Sequence, residues 1–257
     1  MDLGLTGRTA LVCASTGGLG EAVARRLAAE GANVVVSGRR GERARRFAAE
    51  LRTAVGVEID LTAKDGAATL YSAAVDAFGG VDVLVLNGPG PKPGTAANAT
   101  SEEIEAAVGA LVLPQQRLVA MSLPGMLDQR WGRVLAIGSS GVIAPLPNLA
   151  LSNLCRAALA GYLKTLAVEV AANGVTVNLL LPGRIATDRV AQLDQAAAER
   201  DGSTAQAVAD KSRASIPAGR YGEPDEFGAV AAFLCSAPAS YITGTAVRCD
   251  GGLVRSL

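Results

Sequence analysis

Histidine is absent from all 257 residues, and the chemistry this removes is large. Without an imidazole there is no Ser-His-Asp or Cys-His hydrolase, and no side chain ordinarily poised near neutral pH to act as a general base. Acid–base work is left to hydroxyl, Lys, Arg and carboxylate groups, or to the substrate. Only four cysteines occur, Cys13, Cys155, Cys235 and Cys249, far apart and without Cys-x-x-Cys spacing. With His also missing, no metal site is expected. The cysteines read as small buried side chains in a reducing compartment, and a cytoplasmic location is expected. Net charge is lacking too: 24 Lys and Arg balance 24 Asp and Glu. The pairs Arg39-Arg40 and Arg45-Arg46 are interrupted by Glu42 and Glu50, so no basic footprint for nucleic acid forms. No uninterrupted apolar run reaches the roughly 18 residues of a membrane span. Met1–Arg8 is too short and too charged to read as a signal peptide.

What remains is a chain that is 49% hydrophobic, enough to build one core over residues 1–257 as a single domain. Thr9–Cys13, Asn33–Ser37, Val55–Ile59, Val81–Leu86, Arg133–Ile137, Val175–Leu181 and Ala246–Cys249 are short, β-branched runs bounded by Gly, Asp or Pro. They predict seven strands. Between them Leu19–Glu30, Glu42–Arg52, Ala63–Phe78, Ser101–Arg130, Leu151–Asn173 and Pro224–Ser236 have helical length and period. Gly31, Gly79 and Gly174 stand where left-handed caps end helices. Strand–helix alternation of this kind predicts an α/β fold: a Rossmann-like, doubly wound parallel sheet with helices on both faces. Residues 186–222 break the rhythm, as either a solvated helical insertion or a lid over the carboxyl edge of the sheet, where ligands bind in open α/β folds.

The turn Ala14-Ser15-Thr16-Gly17-Gly18-Leu19-Gly20 joins the first strand to the first helix. Glycines at such a turn let the backbone approach a pyrophosphate, and the helix N-terminus adds unpaired N–H groups and a positive dipole end. The pattern is not G-x-G-x-x-G, so its position in the first strand–turn–helix unit carries the signal. The second strand ends without the acidic residue that would bind an unphosphorylated ribose. Gly38 there leaves room, and Arg39 offers a guanidinium suited to a 2′-phosphate, unless Arg39 and Arg40 are ordinary surface arginines. NADP(H) is therefore expected over NAD(H). Asp60 ends the third strand, either accepting from an adenine amino group or capping the turn before Thr62. Asn87 either lines the adenosine pocket or merely terminates its strand.

These segments resemble the short-chain dehydrogenase/reductase family across nearly the whole chain, and most closely its 3-oxoacyl-acyl-carrier-protein reductase-like subgroup. The likeness is carried by the turn at 14–20, Asp60-Leu61, the run 81–88 ending Asn87-Gly88, Ile137-Gly138-Ser139, and Pro182-Gly183-x-Ile185-x-Thr187. Tyr241-Ile242-Thr243-Gly244 leading to Asp250-Gly251-Gly252 extends it. The resemblance implies that Ala14, Ser15, Thr16, Gly18, Leu19, Gly20, Arg39, Asp60, Leu61, Asn87, Gly88, Arg156, Pro182, Gly183, Ile185 and Thr187 surround the cofactor. It also implies a homotetramer or homodimer. In the family a Ser polarises the substrate oxygen, a Tyr thirteen residues on exchanges the proton, a Lys four further tunes the Tyr, and an Asn on the central helix supports a relay water. Counting along this chain finds Ser139, Ser152, Arg156 and Leu111. Ser139, Ser152 and Arg156 are thus the candidate catalytic residues, with Ser139 alone of the expected type. Ser139 also reads as a strand-end hydroxyl satisfying backbone groups, Ser152 as a helix N-cap, and Arg156 as a surface or ion-pair arginine. Ala14 replaces the first glycine of the turn and would be strained by about 1 kcal/mol or more at positive φ.

Two functions follow as expectations. One is NADP(H)-dependent interconversion of a small-molecule carbonyl and alcohol with an unusual proton source; the other is a non-redox protein, lyase or isomerase on the same scaffold.

Overall fold

Residues 1–256 are described by the structure, a computed structural model. All seven expected strands are present: β1 Thr9–Val12, β2 Asn33–Gly38, β3 Ala54–Glu58, β4 Val83–Leu86, β5 Gly132–Ile137, β6 Val175–Pro182 and β7 Ala246–Cys249. They form one sheet in the order β3-β2-β1-β4-β5-β6-β7, and every neighbouring pair is parallel. The strand order reverses between β1 and β4, which places a crevice at their carboxyl ends.

The helices are α1 Gly18–Ala29, α2 Gly41–Ala49, α3 Gly66–Phe78, α4 Ser101–Leu111, α5 Leu113–Asp128, α6 Ala150–Val170, α7 Asp188–Asp201, α8 Ala205–Ser215 and α9 Pro224–Leu234. Alternation along each strand divides the core. Ala10, Val12, Val83, Val85, Leu135 and Ile137 pack toward α1, α2 and α9. Leu11, Leu84, Leu86, Val134 and Ala136 pack toward α3, α5 and α6. Apolar residues on both faces explain why the inner strands read as unbroken apolar runs rather than alternating ones. Phe227 of α9 is fully buried against α1, a burial contributing about 1.5–3 kcal/mol.

One expectation is corrected. The stretch Ser101–Arg130 is not a single helix: Val112, at φ −108° and ψ −57°, separates α4 from α5. Pro114 is the reason. Its ring would clash with the carbonyl four residues earlier and it donates no N–H, whereas in the first turn of α5 no donor is needed. By length and composition alone the combined stretch Ser101–Asp128 is long and apolar enough to cross a membrane, with a mean hydropathy of 1.3 over its most apolar window. Here it is divided, and Leu118, Val119 and Met126 fill the core beneath the sheet, as in the core helices of globular proteins.

The segment 186–222 folds as the helical pair α7–α8, turned at Gly202 with φ +64°. Its two ends meet: the Ala186 amide donates to Gly222 O at 2.8 Å, and the Gly222 amide to Arg184 O at 2.9 Å. Asp194 of α7, only 4% exposed, fastens both ends at once. It accepts from Arg184 Nη1 at 2.8 Å and from the Tyr221 hydroxyl at 2.8 Å. The pair therefore stands over the end of β6 on a fixed base.

Candidate active site

The turn after β1 is built around a strained residue. Ala14 stands at φ +47°, in the left-handed region that disfavours a β-carbon. Its carbonyl accepts from Asn87 Nδ2 at 3.2 Å, so the end of β4 braces the end of β1 across the crevice. Asn87 is thus a brace for the turn. Gly20 has no room to be anything else: a β-carbon there would lie 2.5 Å from Ala14 O and 2.9 Å from Asn87 Nδ2. The Ser15 hydroxyl donates to Val12 O at 2.8 Å and accepts from the Ser37 amide at 3.0 Å, while its own amide donates to Ser37 O at 2.8 Å. Ser15 is committed to β1 and β2, and its contribution is to the shape of the turn.

Past this turn α1 begins with no side-chain cap, since Gly17 occupies the N-cap. Gly18, at φ +57°, is exposed, and a β-carbon on it would meet only Thr187, at 3.9 Å. Thr187 is itself the N-cap of α7, and that helix too starts without a side-chain cap. Two helix N-termini with unsatisfied amides therefore approach one another across the crevice, a field that suits an anion such as a pyrophosphate. Leu19 and Ile185 anchor the two turns in the core on the α1 face. Pro182 ends β6 beside Cys249 of β7, and the Gly183 amide donates to Cys249 O at 2.9 Å. A β-carbon at Gly183 would strike Asp250 at 2.6 Å from its Cα.

At the other end of the crevice is a cleft of about 420 Å³, lined by Arg39, Ile59, Asp60, Lys64, Asp65 and Thr69, among others. Asp60 Oδ1 accepts from the Thr62 amide at 2.9 Å and the Thr62 hydroxyl at 2.7 Å. Those bonds hold its carboxyl below the usual range. It caps its own turn, α3 starting only at Gly66. Leu61 beside it is half-buried against the core of the α3 face. The expectation that Gly38 leaves room for a ligand is corrected: a β-carbon there would lie 2.7 Å from Thr16 Oγ1, so the space belongs to Thr16. Two residues were missed. Arg40 Nη2 donates to Thr16 O at 2.9 Å, and Arg43 Nε donates to the same oxygen. Arg43 is balanced by Glu21 at 3.0 Å. Arg39 and Arg40 pair with no carboxylate among the described residues. The position of Arg40 at the head of α2, three residues ahead of Arg43, was the available signal.

The catalytic candidates cluster where β5 meets α6. Ser139 follows β5 and caps a single 3₁₀ turn, its Oγ accepting from the Gly141 amide at 3.1 Å. The backbone-satisfying reading of Ser139 is therefore correct, yet it uses only the lone pairs and leaves the hydroxyl proton free to donate. Ser152 is not an N-cap: α6 starts at Ala150, capped by Leu149, and Ser152 lies inside the first turn. The half-buried Arg156 follows one turn later. It is neither a surface nor an ion-pair arginine. Its Nη1 donates to Ile137 O at 2.5 Å, and it makes no ion pair among the described residues. Burial pushes its pKa down, but guanidinium remains charged. No hydrogen bond joins Ser139, Ser152 and Arg156 among the described residues; Arg156 reaches the end of β5 through Ile137 O. Asn153, unremarked in the sequence, ties the 140–149 loop to α6, donating to Leu146 O at 2.9 Å and accepting from the Leu146 amide at 3.3 Å.

Leu111 is 3% exposed and packs with Ala107, Cys155 and Leu151. A β-carbon on Gly88 would lie 3.3 Å from Leu111 Cδ2 and 3.5 Å from Gln115 Nε2. That side of the site is therefore closed by the Leu111 side chain together with the Gln115 amide. Tyr221 donates to Asp194 in the base of the α7–α8 pair, and burial raises its pKa. Tyr162 packs in the core of the α3 face, and Tyr241 is fully exposed.

The chain is similar to known proteins over its whole length. A family model described as enoyl-(acyl carrier protein) reductase matches residues 13–254. A 3-oxoacyl-[acyl-carrier-protein] reductase of Aquifex aeolicus is 33% identical over 260 residues, covering 98% of this chain and 100% of that protein. Dehydrogenase/reductase SDR family member 4 of Sus scrofa is 36% identical, covering 98% of this chain and 89% of that protein. Among solved structures, L-sorbose reductase of Gluconobacter frateurii, complexed with NADPH and L-sorbose, superposes with a TM-score of 0.94 at 29% identity, covering 100% of both chains.

Proposed function

The chain belongs to the short-chain dehydrogenase/reductase family, and from that premise we propose that it is an NADP(H)-dependent oxidoreductase interconverting a small-molecule carbonyl and alcohol. The observation carrying this reading is the pair of uncapped helix N-termini, α1 and α7, facing each other beside Gly18 and Thr187. In the proposal these hold the pyrophosphate, with the strained turn at Ala14 bringing the backbone close. Arg39 and Arg40 hold a 2′-phosphate, neither being engaged in an ion pair among the described residues, and Asp60 in the adjoining cleft meets the adenine. Asn87, Gly88, Ile185 and Thr187 enclose the remainder, and the α7–α8 pair serves as the lid. NADPH in the sorbose reductase complex supports the choice of cofactor. Unpaired cysteines support a cytoplasmic home, and a homotetramer or homodimer is the expected assembly.

When bound, the nicotinamide supplies a hydride to a carbonyl carbon or accepts one from an alcohol carbon. The Ser139 hydroxyl, fixed by the Gly141 amide, donates to the substrate oxygen. Arg156, fixed on Ile137 O, holds a permanent positive charge that favours a developing alkoxide. Neither Arg156 nor the Ser152 hydroxyl is acidic enough to deliver the proton near neutral pH. Water or an acidic hydroxyl of the substrate does so instead, and the absence of a positioned acid costs about 10²–10⁴-fold in rate.

One observation favours a second reading, a cofactor-binding protein without redox activity: the apolar packing of Leu111, Leu151 and Cys155 beside the catalytic candidates. Nicotinamide fluorescence titration and NADPH oxidation over ketones, quinones and acyl thioesters separate the two. Micromolar NADPH binding, weaker NADH binding and substrate-dependent oxidation lost in Ser139→Ala are expected. Activity that appears only after Ser152→Tyr with Arg156→Lys establishes the second reading, and failure to bind either nucleotide overturns both.

A further inference from the structure

Four buried side-chain atoms among the described residues lack a hydrogen-bond partner: Gln115 Oε1, Ser122 Oγ, Arg156 Nε and Thr176 Oγ1. Two are hydroxyls, whose protons rotate toward nearby acceptors. The other two, an amide oxygen and a guanidinium N–H, have fixed directions and opposite polarity. Leaving either unpaired in a buried site is strongly disfavoured.

The fold brings these two to one corner. Gln115 is 2% exposed on α5 and Arg156 lies on α6, and both helices cover the same face of the sheet. Gln115 Nε2 lies by Gly88, just beyond the end of β4, while Arg156 Nη1 is bonded to Ile137 O at the end of the neighbouring β5. The register Leu86 opposite Ala136 makes these strand ends adjacent. Leu111 links the two, touching the Gly88 side and packing against Cys155, the residue before Arg156.

We propose that Gln115 is a positioning residue for Arg156: a buried water accepts from Arg156 Nε–H and donates to Gln115 Oε1. A water in such a place needs two to four polar partners, and these two orphans supply the first two. The guanidinium is then held at two points, Ile137 O and the water, and its remaining N–H groups keep a fixed direction toward the Ser139 side. Only the functional consequence rests on the catalytic role given to Arg156 above.

The test is nitrogen-15 NMR of the full chain, with the Arg156 Nε–H signal assigned by its loss in Arg156→Lys. Exchange with solvent at least about tenfold slower than for exposed arginines, and a nuclear Overhauser contact to a long-lived water, are expected for a buried, bonded N–H. Gln115→Met speeds that exchange about tenfold or more, whereas Gln115→Glu, which keeps an acceptor oxygen, preserves the protection. In turnover assays Gln115→Met lowers kcat while the NADPH Kd is little changed. An unprotected Nε–H, no water contact, or protection unchanged in Gln115→Met overturns the proposal, and the first two are read on the unmutated chain. Absence of turnover in every form, with the NMR outcome as expected, rejects the redox reading and leaves the Gln115–Arg156 link standing.

Discussion

Replacing Ala14 with glycine makes the protein more stable. Ala14 sits at φ +47°, where an L-residue with a β-carbon pays roughly 1–2 kcal/mol against glycine. Glycine loses more backbone freedom on folding, a penalty of roughly 0.5–1 kcal/mol. Taken at the middle of both ranges, the difference predicts a net gain of about 0.75 kcal/mol, because the carbonyl that accepts from Asn87 belongs to the backbone and survives the change. For a chain of this size that corresponds to a rise of about 1–4 °C in Tm. The assay is thermal unfolding at fixed protein concentration, with Ala196→Gly as the opposite-sign control. Ala196 is an exposed interior residue of α7, and glycine there costs about 1 kcal/mol. A fall or no change in Tm for Ala14→Gly, alongside the expected fall for Ala196→Gly, would refute the strain at the turn.

Gly20→Ala drives a β-carbon to 2.5 Å from Ala14 O. Backbone must shift, so stability falls by about 1–3 kcal/mol and NADPH affinity falls with it; an unchanged titration shows that the turn does not set the binding geometry. Burial pushes the thiols of Cys13 and Cys235 up to about 12 from an ordinary value of 9. The unfolded chain ionises first, so their contribution to stability is complete below pH 9 and is lost as pH rises toward 12. Denaturant midpoints measured across that window should fall, and Cys13→Ala should flatten the decline; a flat parent profile refutes the assignment.

The sheet was legible because each inner strand carries its own signal: β1, β4 and β5 are buried on both faces, and Asn87 and Gly138 close β4 and β5. Gly79 and Gly174 cap their helices at φ +83° and +75°, as punctuation by glycine implies. The break at Val112 was readable too, from Pro114, but the apolar period running through it masked the stop. The site was less legible because its geometry comes from residues distant in sequence. Nothing near Gly38 says that Thr16 will fill the space beside it, and nothing in Asn153 says that Leu146 will return to it. Arg40 and Arg43 are drawn to the turn carbonyl at Thr16, a contact that nothing in the charged run 39–46 announces. Arg156 was the hardest to place. Its fate depends on Ile137 and on which face of α6 is buried, and a single arginine gives no hint of either.

The two halves of the site are made of different material, and this explains why one is readable and the other surprising. The nucleotide half is mostly backbone: helix amides, a left-handed turn and glycines excluded from growing side chains by contacts under 3 Å, as at Gly20 and Gly183. The proton half is made of side chains, and each can change independently. In the proposed reading, with Arg156 fixed on Ile137 O as a permanent cation and Leu111 packed beside it, charge is stabilised there and the proton comes from outside the protein. The substrates this arrangement favours are those whose alkoxide is easily held beside a guanidinium, or which carry an acidic hydroxyl of their own. A screen ordered by the acidity of groups next to the carbonyl should therefore find activity at its acidic end first.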